Sequence, residues 1–263
     1  MAPPKRPLRG EEEPTGGGGM MTFLRSVTLL REQVPDMHRY PFSIPALRHL
    51  ETLEFHPQVT FLVGENGSGK STLIEAIALS MGFNAEGGSR NFNFSTRRSE
   101  SELHKYLRPV RGTRRPKTGY FLRAESFFNV ATEVDSNPTA LSSHGGTSLH
   151  EQSHGESFMA LVTNRFFANG LYILDEPEAA LSPQRQLALL RSMDQLARRQ
   201  GSQFIIATHS PIVLAYPHAR IYQLTPEGIS PVLYEETEHY ALTRDFLLNR
   251  ERYLKRLFEH DDE

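Results

Sequence analysis

The 263-residue sequence predicts an α/β fold in which a mixed central sheet is flanked by helices. Short apolar runs at residues 61–63, 171–174 and 203–208 have the continuous hydrophobic character of strands covered on both faces. Helical periodicity follows the first two of these runs. Weaker extended patterns at residues 23–30 and 46–55 precede the first run, and they are expected to form edge strands of a sheet that is not purely parallel.

The rest of the chain divides into a tail and one domain. Residues 1–19 are rich in Pro, Gly, Arg and Glu, which predicts a disordered tail, and residues 20–263 are expected to form a single domain. Within that domain, residues 83–118 are predicted to be a basic surface insertion, and residues 126–168 a short helical lobe. Two C-terminal strands, near 220–224 and 229–234, and a helix at about 241–258 complete the domain; the expected packing face of that helix carries Phe246, Tyr253 and Leu257.

Composition excludes several classes of function. The chain has no cysteine, so disulfides, cysteine nucleophiles and thiolate metal sites are excluded, and a reducing, cytoplasmic location is expected. The net charge is −2, so the whole molecule has no general attraction to nucleic acid or to an anionic membrane. The basic charges cluster at residues 90–117, where a nucleic-acid contact is possible, but a solvated surface is the favoured interpretation. No apolar run is long enough to cross a membrane, and no signal peptide is expected.

A glycine-rich stretch at residues 64–72 matches the pattern G-x-x-x-x-G-K-[ST], between an apolar strand and a helical pattern. Its glycines allow successive backbone N–H groups to point at phosphate oxygens, and the helix N-terminus adds partial positive charge. Lys70 is expected to reach the β- and γ-phosphates, and the Ser71 hydroxyl to ligate Mg²⁺. The alternative, a turn with a chance lysine, is disfavoured because every fixed position is filled in the right context. The predicted phosphate-binding residues are Gly64, Glu65, Asn66, Gly67, Ser68, Gly69, Lys70, Ser71 and Thr72.

Two acidic residues end the apolar run at residues 171–174, as in a Walker B sequence. A central strand would carry Asp175 and Glu176 to the carboxyl edge of the sheet, beside the glycine-rich loop, where open α/β sheets bind ligands. Asp175 is expected to hold Mg²⁺, directly or through water, and Glu176 to deprotonate an attacking water. The alternative, a strand end with two solvated acids, is weaker because a complete P-loop precedes it.

The order of further motifs resembles the ATP-binding-cassette (ABC) ATPase superfamily. Its signature, L-S-G-G-Q, is matched at Ser153 and Gly155, whereas positions 152, 154 and 156 carry Gln, His and Glu. The resemblance implies that Ser153 and Gly155 face the γ-phosphate bound by another protomer; the alternative is an ordinary helix cap at Ser153. The whole motif order runs from Gly64 to His209 and covers most of the chain.

Three weaker correspondences complete the resemblance. Residues 208–211 resemble the switch-histidine loop, which implies that His209 contacts the γ-phosphate and the attacking water. Residues 178–182 resemble the D-loop at the family's dimer interface. Glu125 stands where the family has its Q-loop glutamine, and it is a candidate Mg²⁺ ligand or a surface acid.

These motifs predict a Mg²⁺-dependent ATPase that works as an ATP-sandwich homodimer with an unknown protein partner and no membrane segment. The interval from Glu125 to Ser153 is too short for the helical lobe of transport ATPases. No heptad repeat lies between the P-loop and the signature, where chromosome-maintenance and double-strand-break-repair relatives insert a long coiled coil. The chain therefore resembles compact, stand-alone predicted ATPases of bacteria. Two alternatives stay open: an ATP-gated scaffold with little turnover, and a nucleotide-binding subunit of a transporter.

Overall fold

The fold is taken from a computed structural model that describes residues 22–85, 87–89, 101–123 and 154–258. The strands in this part of the chain are β1 (Leu24–Leu29), β2 (Thr52–Glu54), β3 (Val59–Gly64), β4 (Gly88–Ser89), β5 (Leu107–Arg111), β6 (Thr118–Arg123), β7 (Gly170–Asp175), β8 (Gln203–Ala207), β9 (Ala219–Thr225) and β10 (Gly228–Pro231). The helices are α1 (Pro45–Arg48), α2 (Lys70–Ser80), α3 (Leu103–Tyr106), α4 (His154–Arg165), α5 (Pro183–Asp194), α6 (Pro211–Leu214), α7 (Glu238–Leu248) and α8 (Arg250–Phe258). Single turns lie at Arg31–Gln33, Pro177–Ala180, Gln195–Arg199 and Tyr234–Glu236.

The larger sheet of the described residues has seven strands in the order β10-β9-β3-β8-β7-β6-β4. Five neighbouring strands, from β9 to β6, are parallel, and the edge strands β10 and β4 pair antiparallel. The mixed α/β sheet predicted from the sequence is therefore confirmed. Every residue of β3, β7 and β8 is buried, as expected for central strands with helices or a second sheet on both faces.

Side-chain alternation along the central strands creates two apolar layers. On one face, Leu62 of β3 and Ile173 of β7 pack with α2 and with the N-terminal part of the chain. On the other face, Phe61 and Tyr172 pack with α4, α5 and α6. The sheet thus carries the ends of β3, β7 and β8 to one edge, with a helix or turn beginning directly after each.

A second, three-stranded antiparallel sheet has the order β2-β1-β5. The expectation that residues 23–30 and 46–55 lead into the central sheet as edge strands is therefore wrong, because β1 pairs with β5 instead. Gln203 of β8 connects the two sheets: its side-chain oxygen accepts from the N–H groups of Phe23 and Leu24 at 3.0 and 2.9 Å, and its amide donates to Leu24 O and His56 O.

The described part of residues 83–118 is not an irregular surface insertion. It forms α3 and β5, and Leu103 and Leu107 are buried in the core. Arg108 and Arg111 of β5 are both exposed, so this basic segment forms a strand and keeps its charges in solvent. The expectation is wrong for this part because the many Arg and Lys residues around Leu103 and Leu107 indicated an exposed segment, whereas these two leucines pack into the core.

The C-terminal helix predicted at about 241–258 is two helices, α7 and α8. Phe246 and Tyr253 pack ring edge to face at 5.7 Å, but Leu257 is exposed, so the predicted packing face is incomplete. In α5, Leu189 is buried whereas Leu187 is exposed. Among the described residues, no helix has the length and hydrophobicity to span a bilayer.

Candidate functional site

The glycine-rich loop lies between the end of β3 and the start of α2. Gly67 and Gly69 adopt φ angles of 81° and 96°, a left-handed conformation that strains any residue with a Cβ atom. This conformation turns the chain sharply, so that α2 begins at Lys70 with its free N–H groups at the loop. The predicted strand, loop and helix therefore occur in the geometry that a phosphate group requires.

Lys70 lies at the centre of this loop and is buried. Its Nζ atom donates to Gly64 O and Glu65 O, each at 2.8 Å, so the side chain curls back over the loop. Burial lowers the pKa of Lys70, and the nearby carboxylates of Glu176, Asp175 and Glu178 oppose that shift. The cation therefore faces a cluster of acids, which a polyphosphate bound together with a metal cation would neutralise.

A cavity of about 300 Å³ opens over the loop and the first turn of α2. It is lined on one side by Lys70 and Thr72 and on the other by Glu176. Tyr40, an exposed aromatic residue, lies at its mouth with its hydroxyl 3.4 Å from Thr72 Oγ1. A neighbouring cavity of about 410 Å³ is lined by residues 64–68 and by the connection between β9 and β10.

Ser71 and Asp175 come together from opposite sides of the site. Ser71 Oγ donates to Asp175 Oδ1 at 3.2 Å, and Asp175 is buried at the end of β7. A hydroxyl and a carboxylate are hard oxygen ligands that suit Mg²⁺, which commonly takes its remaining ligands from water and substrate phosphates. Within the described ranges no group of three or more His, Asp or Glu side chains forms a ready metal cage, so substrate oxygens would have to complete the site.

Glu176 and His209 face each other across the end of the sheet. Glu176 has a left-handed φ of 51°, and its N–H donates to Ala207 O at 2.9 Å, which fixes the direction of the side chain. His209 Nε2 lies 3.0 Å from Glu176 Oε1, within ion-pair distance but without hydrogen-bond alignment. The two predicted catalytic residues therefore lie side by side next to the cavity above Lys70.

Two further residues hold His209, and their positions could not be read from motif order alone. Glu178 Oε1 accepts from the backbone N–H of His209 at 2.5 Å, which connects the turn after β7 to the loop after β8. His239, on the first turn of α7, places its Nε2 atom 2.9 Å from His209 Nδ1. No sequence signal pointed to His239, because it lies in no recognisable motif, 30 residues after its partner.

The signature region is only partly described. Ser153 and Glu125 lie outside the described residues, while Gly155 lies in the first turn of α4. A Cβ atom on Gly155 would collide with the guanidinium of Arg185 and would lie 2.9 Å from Ala180 O. The site residues that the structure brings together are thus those of the glycine-rich loop with Asp175, Glu176 and His209, whereas Gly155 lies against the 177–185 segment.

The end of β6, two residues before Glu125 in the sequence, carries a partly buried ion pair. Arg123 Nη1 lies 2.6 Å from Glu75 Oε2, and Glu75 Oε1 also accepts from the N–H of Ser101 at 3.3 Å. These contacts join β6, α2 and the segment before α3. They support the sheet edge that faces the site.

Comparisons with known proteins give two family matches. A family model described as an AAA domain matches residues 42–147. A second AAA-domain model, whose description names the AbiEii toxin and type IV toxin–antitoxin systems, matches residues 142–215. A search of curated proteins finds no match.

Several solved structures resemble the chain in fold. The SMC head domain from Thermotoga maritima is 18% identical, with 81% of this chain and 100% of that chain covered and a TM-score of 0.45. The cbiO1 protein of Clostridium perfringens, part of the ABC transporter complex cbiONQ, is 18% identical, with coverages of 79% and 91% and a TM-score of 0.44. The ADP conformation of an ATP-binding cassette of an ABC transporter is 17% identical, with coverages of 91% and 100% and a TM-score of 0.42.

Proposed function

We propose that the chain is a P-loop ATPase of the ABC superfamily, and that it binds and hydrolyses Mg-ATP as an ATP-sandwich dimer. The observation that carries the proposal is the convergence of four groups at one sheet edge: Lys70, the Ser71–Asp175 pair, Glu176 and His209. Each has the chemistry that phosphoryl transfer to water needs at that place.

Binding of the triphosphate is assigned to the loop and to the start of α2. The N–H groups of residues 65–70 and the N-terminus of α2 cradle the phosphates, and Lys70 Nζ exchanges its two carbonyl partners for phosphate oxygens. Ser71 Oγ and Asp175 would hold Mg²⁺, which supplies charge neutralisation at the β- and γ-phosphates. Tyr40, at the mouth of the cavity, has the position and exposure to contact the rest of the nucleotide.

Hydrolysis is assigned to the pair Glu176 and His209. The Glu176 carboxylate accepts the proton of the attacking water, and a donor on His209 Nε2 orients that water and the γ-phosphate. His209 Nε2 and Glu176 Oε1 are 3.0 Å apart, so the proposed donor and the proposed base lie at the same point of the site. The left-handed Glu176 backbone keeps the carboxylate aimed at this position.

The position of Gly155 supports the proposal of a dimer. The atoms nearest to its Cβ position belong to Arg185 and Ala180, which follow β7, so the first turn of α4 lies beside the segment that resembles a D-loop. In the proposed dimer this surface faces the γ-phosphate of a second copy, and Ser153 with the N-terminus of α4 contacts it. Two nucleotides are then buried between the two protomers.

A second candidate, an ATP-gated scaffold with little turnover, is favoured by Glu156. This residue stands where the family signature has Gln, and its carboxylate forms an ion pair with Arg185 at 3.1 Å. An acid near the γ-phosphate of the second copy would oppose binding unless Arg185 neutralises it. Both functions need ATP binding, and only the rate of hydrolysis separates them.

Steady-state phosphate release from Mg-ATP by the purified full chain tests the proposal. Wild-type protein should turn over, and Lys70→Ala should neither bind ATP in isothermal titration nor hydrolyse it, because the loop loses the cation that faces the phosphates. ATP binding without turnover would favour the scaffold. Unchanged ATP affinity in Lys70→Ala would overturn the assignment of the phosphate site.

A further inference from the structure

We propose that His239 is a positioning residue that holds His209 in the tautomer whose Nε2 atom carries the proton. This inference rests on the proposed function, because it assigns the donor atom that faces Glu176 and the γ-phosphate. It concerns a residue of the C-terminal helix α7, far from the nucleotide-binding motifs in sequence.

The geometry begins with two imidazole rings in hydrogen-bond contact. His209 Nδ1 and His239 Nε2 are 2.9 Å apart, and the ring centroids are 4.9 Å apart at an interplanar angle of 60°. Such a contact holds one proton between the two nitrogens, so one ring donates and the other accepts. A neutral imidazole carries one N–H group, so the direction of this hydrogen bond decides which nitrogen of His209 carries its proton.

The other nitrogen of His209 settles the direction of this hydrogen bond. Nε2 lies 3.0 Å from Glu176 Oε1, where a lone pair would repel the carboxylate and an N–H group would be attracted. In the form of His209 that holds a single proton, that proton therefore lies on Nε2, and the Nδ1 atom accepts. His239 must then donate from its own Nε2 atom.

Burial and neighbouring charges favour a neutral His239 that can fill this role. Burial lowers the pKa of His239, His209 and Lys70 lower it further, and Glu238 and Glu65 oppose the shift. The charged groups around the histidine pair come from four segments: Glu65 from the loop, Lys70 from α2, Glu176 and Glu178 from the turn after β7, and Glu238 from α7. A neutral His239 is a single-proton donor and adds no charge beside the γ-phosphate.

His239 also connects α7 to the phosphate-binding loop. Together with Glu65, Asn66 and His209 it lines a cavity of about 390 Å³ beside that loop. A change in the position of α7 would move the His239 donor away from His209 Nδ1. The Nε2 proton of His209 would then be free to shift to Nδ1, and the site would lose its donor toward Glu176.

The test compares His239→Ala with His239→Gln in the full chain. The Gln amide nitrogen reaches about as far as Nε2 and can donate to His209 Nδ1, whereas Ala cannot. His218→Ala serves as a matched control, because His218 is exposed and packs against Tyr216, away from the histidine pair. We measure kcat and KM for Mg-ATP hydrolysis, ATP affinity by titration, and the tautomer of His209 by nitrogen NMR of labelled imidazole without nucleotide.

His239→Ala should lower kcat by roughly 10–100-fold, the range seen when a group that orients a reacting side chain is removed. KM and ATP affinity should stay within about twofold, since in this account His239 acts on the nucleotide only through His209. His239→Gln should recover most of the lost turnover, and His218→Ala should match wild type. The NMR spectrum should show the Nε2-protonated form in wild type and Gln, and a tautomer mixture in Ala.

Two results would overturn the inference. One is an unchanged kcat and an unchanged His209 tautomer in His239→Ala. The other is an equal loss of kcat in the Ala and Gln variants together with lowered melting temperatures, which would mean that His239 serves only to pack α7 against the domain. If wild-type protein does not hydrolyse ATP at all, the proposed function fails, and the NMR measurement alone decides the role of His239.

Discussion

Replacing Glu176 by Gln is the most informative single change at the proposed active site. The amide has the size of the carboxylate, and the contact with Ala207 O is made by the backbone N–H of residue 176, so the left-handed turn and that contact are retained. The variant loses the negative charge and the ability to accept a proton from water. We expect ATP to bind at least as tightly as in wild type, because a negative charge next to the γ-phosphate has been removed.

The size of the expected loss follows from the role of the side chain. Removing a general base costs roughly 10²–10⁴-fold in rate, which corresponds to about 2.7–5.4 kcal/mol of transition-state stabilisation. His209 keeps its contacts with Glu178 and His239 in this variant, so its position should not change. The loss should therefore appear in kcat, with little change in KM.

The assay is single-turnover and steady-state hydrolysis of Mg-ATP, together with a titration of ATP binding. Glu178→Gln makes the same chemical change in the same turn, and its amide oxygen can still accept from the His209 N–H, so it should lose much less activity. Wild-type-like turnover in Glu176→Gln would refute the assignment of the base and would make His209 the next candidate.

Four other substitutions test separate parts of the structure. Asp175→Asn should raise the Mg²⁺ concentration needed for half-maximal turnover by roughly 10–100-fold, measured by metal titration of hydrolysis, while ATP still binds without metal. Gly67→Ala and Gly69→Ala should each lower the free energy of unfolding by about 1–2 kcal/mol through left-handed strain. Urea denaturation should show a larger loss of stability for the Gly69 variant. A Cβ atom at position 69 would lie 2.8 Å from a methyl carbon of Ile44, whereas a Cβ atom at position 67 would have no atom within 4 Å. Gln203→Ala should lower the free energy of unfolding by several kcal/mol in the same assay, because each buried backbone group left unpaired costs about 1–3 kcal/mol. A decrease of less than about 1 kcal/mol would argue against a role of Gln203 in joining the two sheets.

The mixed sheet and the strand–loop–helix arrangement around the glycine-rich loop could be predicted because their signals are local. The residues that form β3, the loop and the start of α2 are contiguous, so one motif describes all three. The apolar run that ends at Asp175 marks a buried central strand by its composition alone. In such segments the local sequence pattern predicts both the secondary-structure element and the elements that adjoin it in the chain.

The remaining features depend on contacts between distant residues. The pairing of β1 with β5 joins segments about 80 residues apart, and the buried leucines of that segment were hidden among arginines. Leu187 and Leu189 of α5 are the same residue type, but packing with residues of α4 and α6 buries Leu189 and leaves Leu187 exposed. The contact between His209 and His239 has no motif at all, since it is made only when α7 returns to the sheet edge.

Light scattering with and without Mg-ATP tests the sandwich dimer most directly. Glu176→Gln, which should bind ATP without hydrolysing it, is expected to shift from the mass of a monomer to that of a dimer when Mg-ATP is added, because the γ-phosphate makes contacts that exist only in the closed state. Adding Ser153→Arg should return this variant to a monomer by blocking the approach of the phosphate, and Lys70→Ala should stay monomeric throughout. A mass that is independent of ATP in every variant would contradict the account and would leave Ser153 as a helix cap only.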